Sequence, residues 1–193
     1  PAFFDEEHLH LAAVIAGRYL VNPGEVLEQM FQIDEVPRAT AQVPVPRELP
    51  PAASERDAPA PHIAALFRKT DAAAPGRLCI PGSWSAQVEL LAAVIRHAMR
   101  IGRQALVVFS HVQWLRDTLA SVCRRHPELG DCIVEYSGNQ SIAQRYVVWQ
   151  ACRTGAARAI FATRSGIYLP LSTSGLIVVD DPDESGHRSL SAP

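Results

Sequence analysis

What the chain lacks narrows its class first. No apolar run approaches the roughly 18–20 residues of a membrane-spanning helix, and no basic-then-apolar leader opens the sequence. A membrane partner is therefore not expected, and a cytoplasmic setting is. Cysteine is sparse: Cys79, Cys123, Cys132 and Cys152 stand far apart, and no Cys-x-x-Cys pair occurs. That argues against a zinc site built from these alone, and for reduced thiols in a core. A dominant charge is lacking too. The chain has 18 Lys and Arg against 20 Asp and Glu, a net charge of −2. An initiator methionine is also missing: the chain opens on Pro1 and stops at Ser191-Ala192-Pro193, as expected of a piece of a longer protein.

The charge that is present is unevenly placed. Residues 1–62 carry 4 basic and 10 acidic side chains, or −6, whereas residues 63–193 carry 14 and 10, or +4. Asp180, Asp181, Asp183 and Glu184 cluster around Pro182, so the rest of that segment is mildly basic and permits contact with a polyanion. With 193 residues, 48% of them hydrophobic, the chain can build one well-packed domain plus a small appendage.

The pattern divides the chain in three. Residues 1–33 predict two short helices meeting at a tight turn. The first covers 5–20, with Asp5 as N-cap and an apolar face of Leu9, Ala12, Ala13, Ala16 and Leu20. The second is restarted by Asn22-Pro23-Gly24-Glu25. Residues 34–62 are a linker. Seven of the chain's 15 prolines lie between Pro37 and Pro61, and no helix or central strand tolerates that density. Residues 63–193 alternate apolar runs with helical patterns. Strands are expected at 77–81, 104–109, 132–136, 158–162 and 175–180, with helices at 83–101, 110–125 and 140–153. That order predicts an α/β fold with parallel strands covered on both faces. In such sheets ligands bind beyond the carboxyl ends of the strands. The segments GSWSA, SHVQ, TRSG and DDPD all fall there.

The first of these has the strand–loop–helix outline of a phosphate-binding loop, Gly82-Ser83-Trp84-Ser85-Ala86, but it holds no lysine. It is not a nucleophile elbow either, because Trp84 stands where Gly-x-Ser-x-Gly needs serine.

A run of residues in order along the chain resembles the first motor lobe of the PriA primosomal replication-restart helicases. The match is carried by Arg145, Trp149, Gly155, Ala157-Arg158, Thr163-Arg164-Ser165, Pro170 and Leu176-Ile177-Val178-Val179-Asp180. Upstream, Tyr19, Gly24, Glu25, Val26 and Leu27 are similar to the end of that family's winged-helix domain. The resemblance implies a winged-helix remnant followed by a RecA-like lobe of the P-loop NTPase type. It further implies DNA replication restart at the nucleoid, forked or single-stranded DNA as ligand, and replication-restart and helicase-loading proteins as partners. The family's zinc-binding cysteines and second motor lobe would lie outside this chain.

The departures matter as much. The family's G-x-T-G-S-G-K-T loop is here altered, with Trp84, Ser85 and Ala86 replacing Gly-Lys-Thr. A lysine on a phosphate is worth about 4 kcal/mol at ~4 Å and an effective dielectric of ~20, or on the order of a thousandfold in affinity. Ala86 also lacks the hydroxyl that would hold Mg²⁺. Asp180 and Asp181 are a remnant of the family's acidic motif, and without a basic loop beside them they read as a solvated turn. The expectation is a DNA-binding scaffold whose ATPase has decayed. Thr163, Arg164 and Ser165 are its DNA contact, and no metal or cofactor is expected. Trp114 is expected to be packing, and Arg96, Arg100 and Arg103 a solvated stripe. Two readings remain open beside this one: an active ATP-dependent DNA helicase with an unusual loop, using ATP and Mg²⁺, and an unrelated small-molecule enzyme on a Rossmann-like sheet.

Overall fold

The computed structural model describes residues 6–19, 21–30, 83–172 and 174–180. The expected strand 77–81, the Pro-rich linker, Gly82 and the acidic residues 181–184 lie outside them.

Apolar residues at helical spacing place α1 at Glu6–Tyr19, α2 at Pro23–Met30, α3 at Trp84–Arg100, α4 at Val112–Arg125 and α5 at Ile142–Arg153. Four strands join them: β1 at Gln104–Phe109, β2 at Ile133–Tyr136, β3 at Ala159–Thr163 and β4 at Ser174–Val179. The strands form one sheet in the order β2-β3-β1-β4, and every pairing is parallel. All six residues of β1 are buried, as befits a strand with a neighbour on each side and a helix layer on both faces. This four-stranded parallel sheet with flanking helices is the expected α/β architecture, consistent with a RecA-like lobe.

The two faces carry separate cores. On one, Val88, Leu91, Ala92 and Ile95 of α3 and Leu115 and Val122 of α4 pack on Val107, Phe109 and Phe161. The Phe109 and Phe161 rings meet at 5.3 Å. On the other, Val148, Trp149, Ala151 and Cys152 of α5 cover Leu106, Val108, Ile160 and Ala162. Strand β4 is treated unequally: Leu176 and Val178 pack beside α3, while Ile177 and Val179 remain 58% and 44% exposed.

Local chemistry sets the boundaries. Gly102 closes α3 at φ +71°, a left-handed conformation that glycine adopts without a Cβ penalty. The Arg103 amide donates back to Ala98 O at 2.8 Å. Gln104 is fully buried. Its amide donates to Cys152 O at 3.0 Å and Ala157 O at 2.8 Å, while its oxygen accepts from Ser172 Oγ at 3.2 Å. This one side chain ties the end of α5 and the approach to β4 to the start of β1. A 3-10 helix over Pro127–Cys132 precedes β2, a feature the periodicity did not predict. Pro127 opens it, where a missing N–H costs nothing.

Helices α1 and α2 bury Ala12, Ala16, Val26 and Met30 against each other. The expected face of α1 is corrected here: Leu9 and Ala13 are exposed, and the contact runs through the small residues Ala12 and Ala16. Small side chains allow two short helices to approach closely. Asn22 caps α2 as expected, its Oδ1 accepting from the Gly24 amide at 2.7 Å.

Candidate nucleic-acid interface at the carboxyl edge of the sheet

Thr163 ends β3 opposite Phe109 of β1, and the chain then turns through a 3-10 helix, Arg164–Tyr168. Arg164 is exposed at the start of that turn, and Thr163 and Ser165 are half-buried on either side. The turn is held from beneath. Gly166 is buried, and a Cβ there would overlap the Ala162 Cβ, with Leu106 and Leu169 each 3.8 Å away. Glycine at 166 is thus explained by packing within the protein. At its far end, Tyr168 packs against the α1–α2 core. Arg164 therefore sits on a turn fixed from two sides.

Asp180 lies at the end of β4, half-buried, and its amide extends the ladder to Val108 O at 2.9 Å. Asp181 falls outside the described residues. Among those residues no group of three His, Cys, Asp or Glu is arranged to hold a metal ion. None of Cys123, Cys132 and Cys152 is in a disulfide. Burial pushes the Cys152 thiol up to about 12.

The described part of the altered loop has its polar groups in use. The Ser83 hydroxyl caps α3 by accepting from the Ala86 amide at 3.4 Å. Ser85 Oγ accepts from Arg125 Nη1 at 2.7 Å, and that guanidinium also reaches Glu89 at 3.4 Å. Trp84 opens α3, and its ring meets Trp114 of the first turn of α4 at a centroid distance of 5.8 Å and an angle of 54°. Both indoles are exposed, 37% and 52%. Trp114 does pack on another side chain, as expected, but at the surface and not in the core. Its partner lies 30 residues away in sequence, so no local spacing pointed to the pair. Trp149, by contrast, is buried beneath Tyr146 and Arg153.

The arginine stripe of α3 is likewise not a free cationic face. Arg96 is bonded to Glu128 and to His126 Nδ1, the latter at 2.9 Å, and Arg100 to His97 Nδ1 at 3.0 Å. Burial pushes the Glu128 carboxyl up, but the hydrogen bond and charge of Arg96, with His126 nearby, outweigh it and hold the group below its usual range. After β2, sequence reasoning missed a second polar knot. Glu135 accepts from Arg116 Nη2 at 3.2 Å and from Ser137 Oγ at 2.9 Å, while Gln140 donates to its carbonyl at 2.9 Å. Arg116 and Glu135 are 19 residues apart, and only the fold brings them together.

No family model matches the sequence. The chain is similar to Replication restart protein PriA of Chlamydia trachomatis serovar D, 28% identical over 111 residues. The match covers 56% of this chain and 14% of that protein.

Proposed function

We propose that this chain acts as a PriA-like replication-restart component. It binds forked or single-stranded DNA at the carboxyl edge of its sheet and serves as a scaffold for reloading the replicative helicase, without turning over ATP. The observation that carries the DNA contact is Arg164: an exposed guanidinium between two hydroxyl residues, on a turn braced by Gly166 and Tyr168. Such a group reads phosphate by charge and bidentate geometry, and is indifferent to base sequence. The similarity to a replication-restart protein supports the same ligand. The absence of turnover is supported by the loop: Ser83 and Ser85 are occupied within the protein, and Trp84 stands where backbone amides would wrap a phosphate.

A second reading has one observation in its favour. Arg125 lies on Ser85 and could stand in for the missing lysine, giving a working nucleotide site. Its pairing with Glu89 opposes that role.

One set of measurements separates them. Arg164→Ala should lower affinity for forked or single-stranded DNA severalfold across sequences, and make the salt dependence shallower by roughly one phosphate contact. Millimolar ATP·Mg²⁺ should leave the melting temperature unchanged, whereas a ligand at a hundred times its Kd adds about 2.7 kcal/mol. Unchanged affinity and salt slope in the variant would remove the DNA assignment. A clear thermal shift with ATP, lost in Arg125→Ala, would establish the nucleotide reading instead.

A further inference from the structure

We propose that residues 77–81, Arg77-Leu78-Cys79-Ile80-Pro81, dock along the open edge of β4 and add a parallel strand there. This is independent of the DNA reading and concerns what completes the sheet. Among the described residues β4 is the last strand on its side, with β1 as its neighbour. The Asp180 amide turns toward β1 and donates to Val108 O at 2.9 Å. Peptide groups alternate in direction along a strand, so those of Ile177 and Val179 face away from β1. Natural edge strands are commonly blunted by charge or proline, because open N–H and C=O groups recruit another strand. Leu176-Ile177-Val178-Val179 carries neither, and its Ile177 and Val179 side chains are exposed as well. That is the composition of a strand with a neighbour on each side.

Handedness decides which segment fills the edge. Helices α3 and α4 lie on one face of the sheet and α5 on the other. From β1, α4 carries the chain past β3 to β2. From β2, α5 returns it to β3 across the opposite face. The turn at Gly166 and Leu169 stays on that face as the chain goes on past β1 to β4. Reversing both face and direction preserves the hand, so all three crossovers share one. Parallel crossovers are right-handed in about 98% of cases. Helix α3 lies on the face of α4, so it too must carry the chain in the direction of β2. A strand joined to β1 through α3 therefore lies on the side of β1 away from β2. Strand β4 already holds the place beside β1, which leaves the position beyond β4. The edge beyond β2 would need a left-handed crossover. The reach agrees. Helix α3 packs on Ala105 of β1 and on Leu176 and Val178 of β4, so it already spans both strands. Only Gly82 and Ser83 separate Pro81 from Trp84 at the start of α3. At 3.6 Å per residue that is a reach of about 10 Å, enough to drop from the helix layer to the sheet and little more.

The test is nuclear magnetic resonance of the full chain at two concentrations. The Ile177 and Val179 amides should exchange on the order of a hundredfold more slowly than in an unstructured peptide, at either concentration. Both should show through-space contacts to the backbone of 78–80. Ile80→Pro removes a donor and fixes the backbone, so exchange at 177 and 179 should quicken on the order of tenfold while β1 stays protected. Free exchange at 177 and 179 in wild type would overturn the proposal, because nothing then pairs with that edge. Protection that vanishes on dilution, with contacts passing between differently labelled chains, would make β4 a self-association surface and overturn it as well. So would contacts from 177 and 179 to any other segment of the same chain. If Ile80→Pro unfolds the lobe, seen as lost protection in β1, the wild-type contacts decide alone.

Discussion

At the scale of single residues, the sequence exposes its functional groups better than their reasons. Arg164 stands out because two hydroxyl residues flank it, and it does end up exposed at a strand's carboxyl end. A glycine at 166 can serve a ligand's close approach or packing within the protein, and the structure uses it against Ala162. No local pattern distinguishes those causes, because the contact depends on how the turn folds back over the sheet. Cys152 is the opposite case, a core thiol expected from composition and found fully buried. Its pKa, raised from 9.0 to about 12, makes stability pH-dependent in a definite direction. Below about pH 9 the thiol is protonated in both states and contributes no slope. Above that the unfolded chain ionises while the folded one does not, so stability falls as pH rises toward about 12. The slope reaches about 1.4 kcal/mol per pH unit for this one group. Cys152→Ala should therefore flatten the alkaline limb of a urea-melt pH profile by about one proton. Cys123, Cys132 and Tyr136, which burial also raises, add slope of the same sign. A profile with the same slope in the variant would mean that Cys152 ionises freely in the folded state.

At the scale of elements, legibility followed the strength of the local signal. The run QALVVF falls at Gln104–Phe109 as read, because six apolar or satisfiable residues between two turns leave little choice. The helix expected from Ser110 begins at Val112, with His111 in the cap position and no side-chain bond closing it. Helix α5 shows the contrast. Ser141 Oγ accepts from the Gln144 amide at 3.3 Å, and Gln144 Oε1 accepts from the Ser141 amide at 3.0 Å, a reciprocal capping box. The S-x-x-Q spacing that encodes it is visible in the sequence, and the helix starts at Ile142, immediately after Ser141. Removing the cap should cost about 1 kcal/mol. Ser141→Ala is thus expected to lower the urea midpoint without changing the slope of the transition, and Ser141→Asp to restore most of it. If alanine is neutral, the box is only a crossing of side chains at the surface. The pairing of the two tryptophans and of Arg116 with Glu135 had no such local code. Both depend on the order in which helices leave the sheet.

At the scale of the whole molecule, the two helices at the start of the chain and the α/β lobe are joined where the candidate DNA contact lies. Among the described residues, the α1–α2 core buries Ala12, Ala16, Val26 and Met30, with Ile15, Val21 and Leu27 partly buried beside them, a small apolar surface for two short helices. Tyr168 adds to that core from the lobe, and it closes the 3-10 helix that Arg164 opens. The helices are therefore expected to depend on this ring, and the arginine's turn to depend on the helices. Tyr168→Ala should remove about 1–2 kcal/mol of docking. Amide exchange in 6–30 should then quicken on the order of tenfold, while exchange in β1, buried on both faces, stays as it was. DNA affinity should fall modestly, because Arg164 is no longer held in one place. Its charge remains, so the salt slope should match wild type, which separates this effect from Arg164→Ala. Faster exchange with unchanged DNA affinity would mean that Gly166 alone holds the turn and that the helices do not support it. Unchanged exchange in 6–30 would mean that the pair is held to the lobe by contacts other than Tyr168.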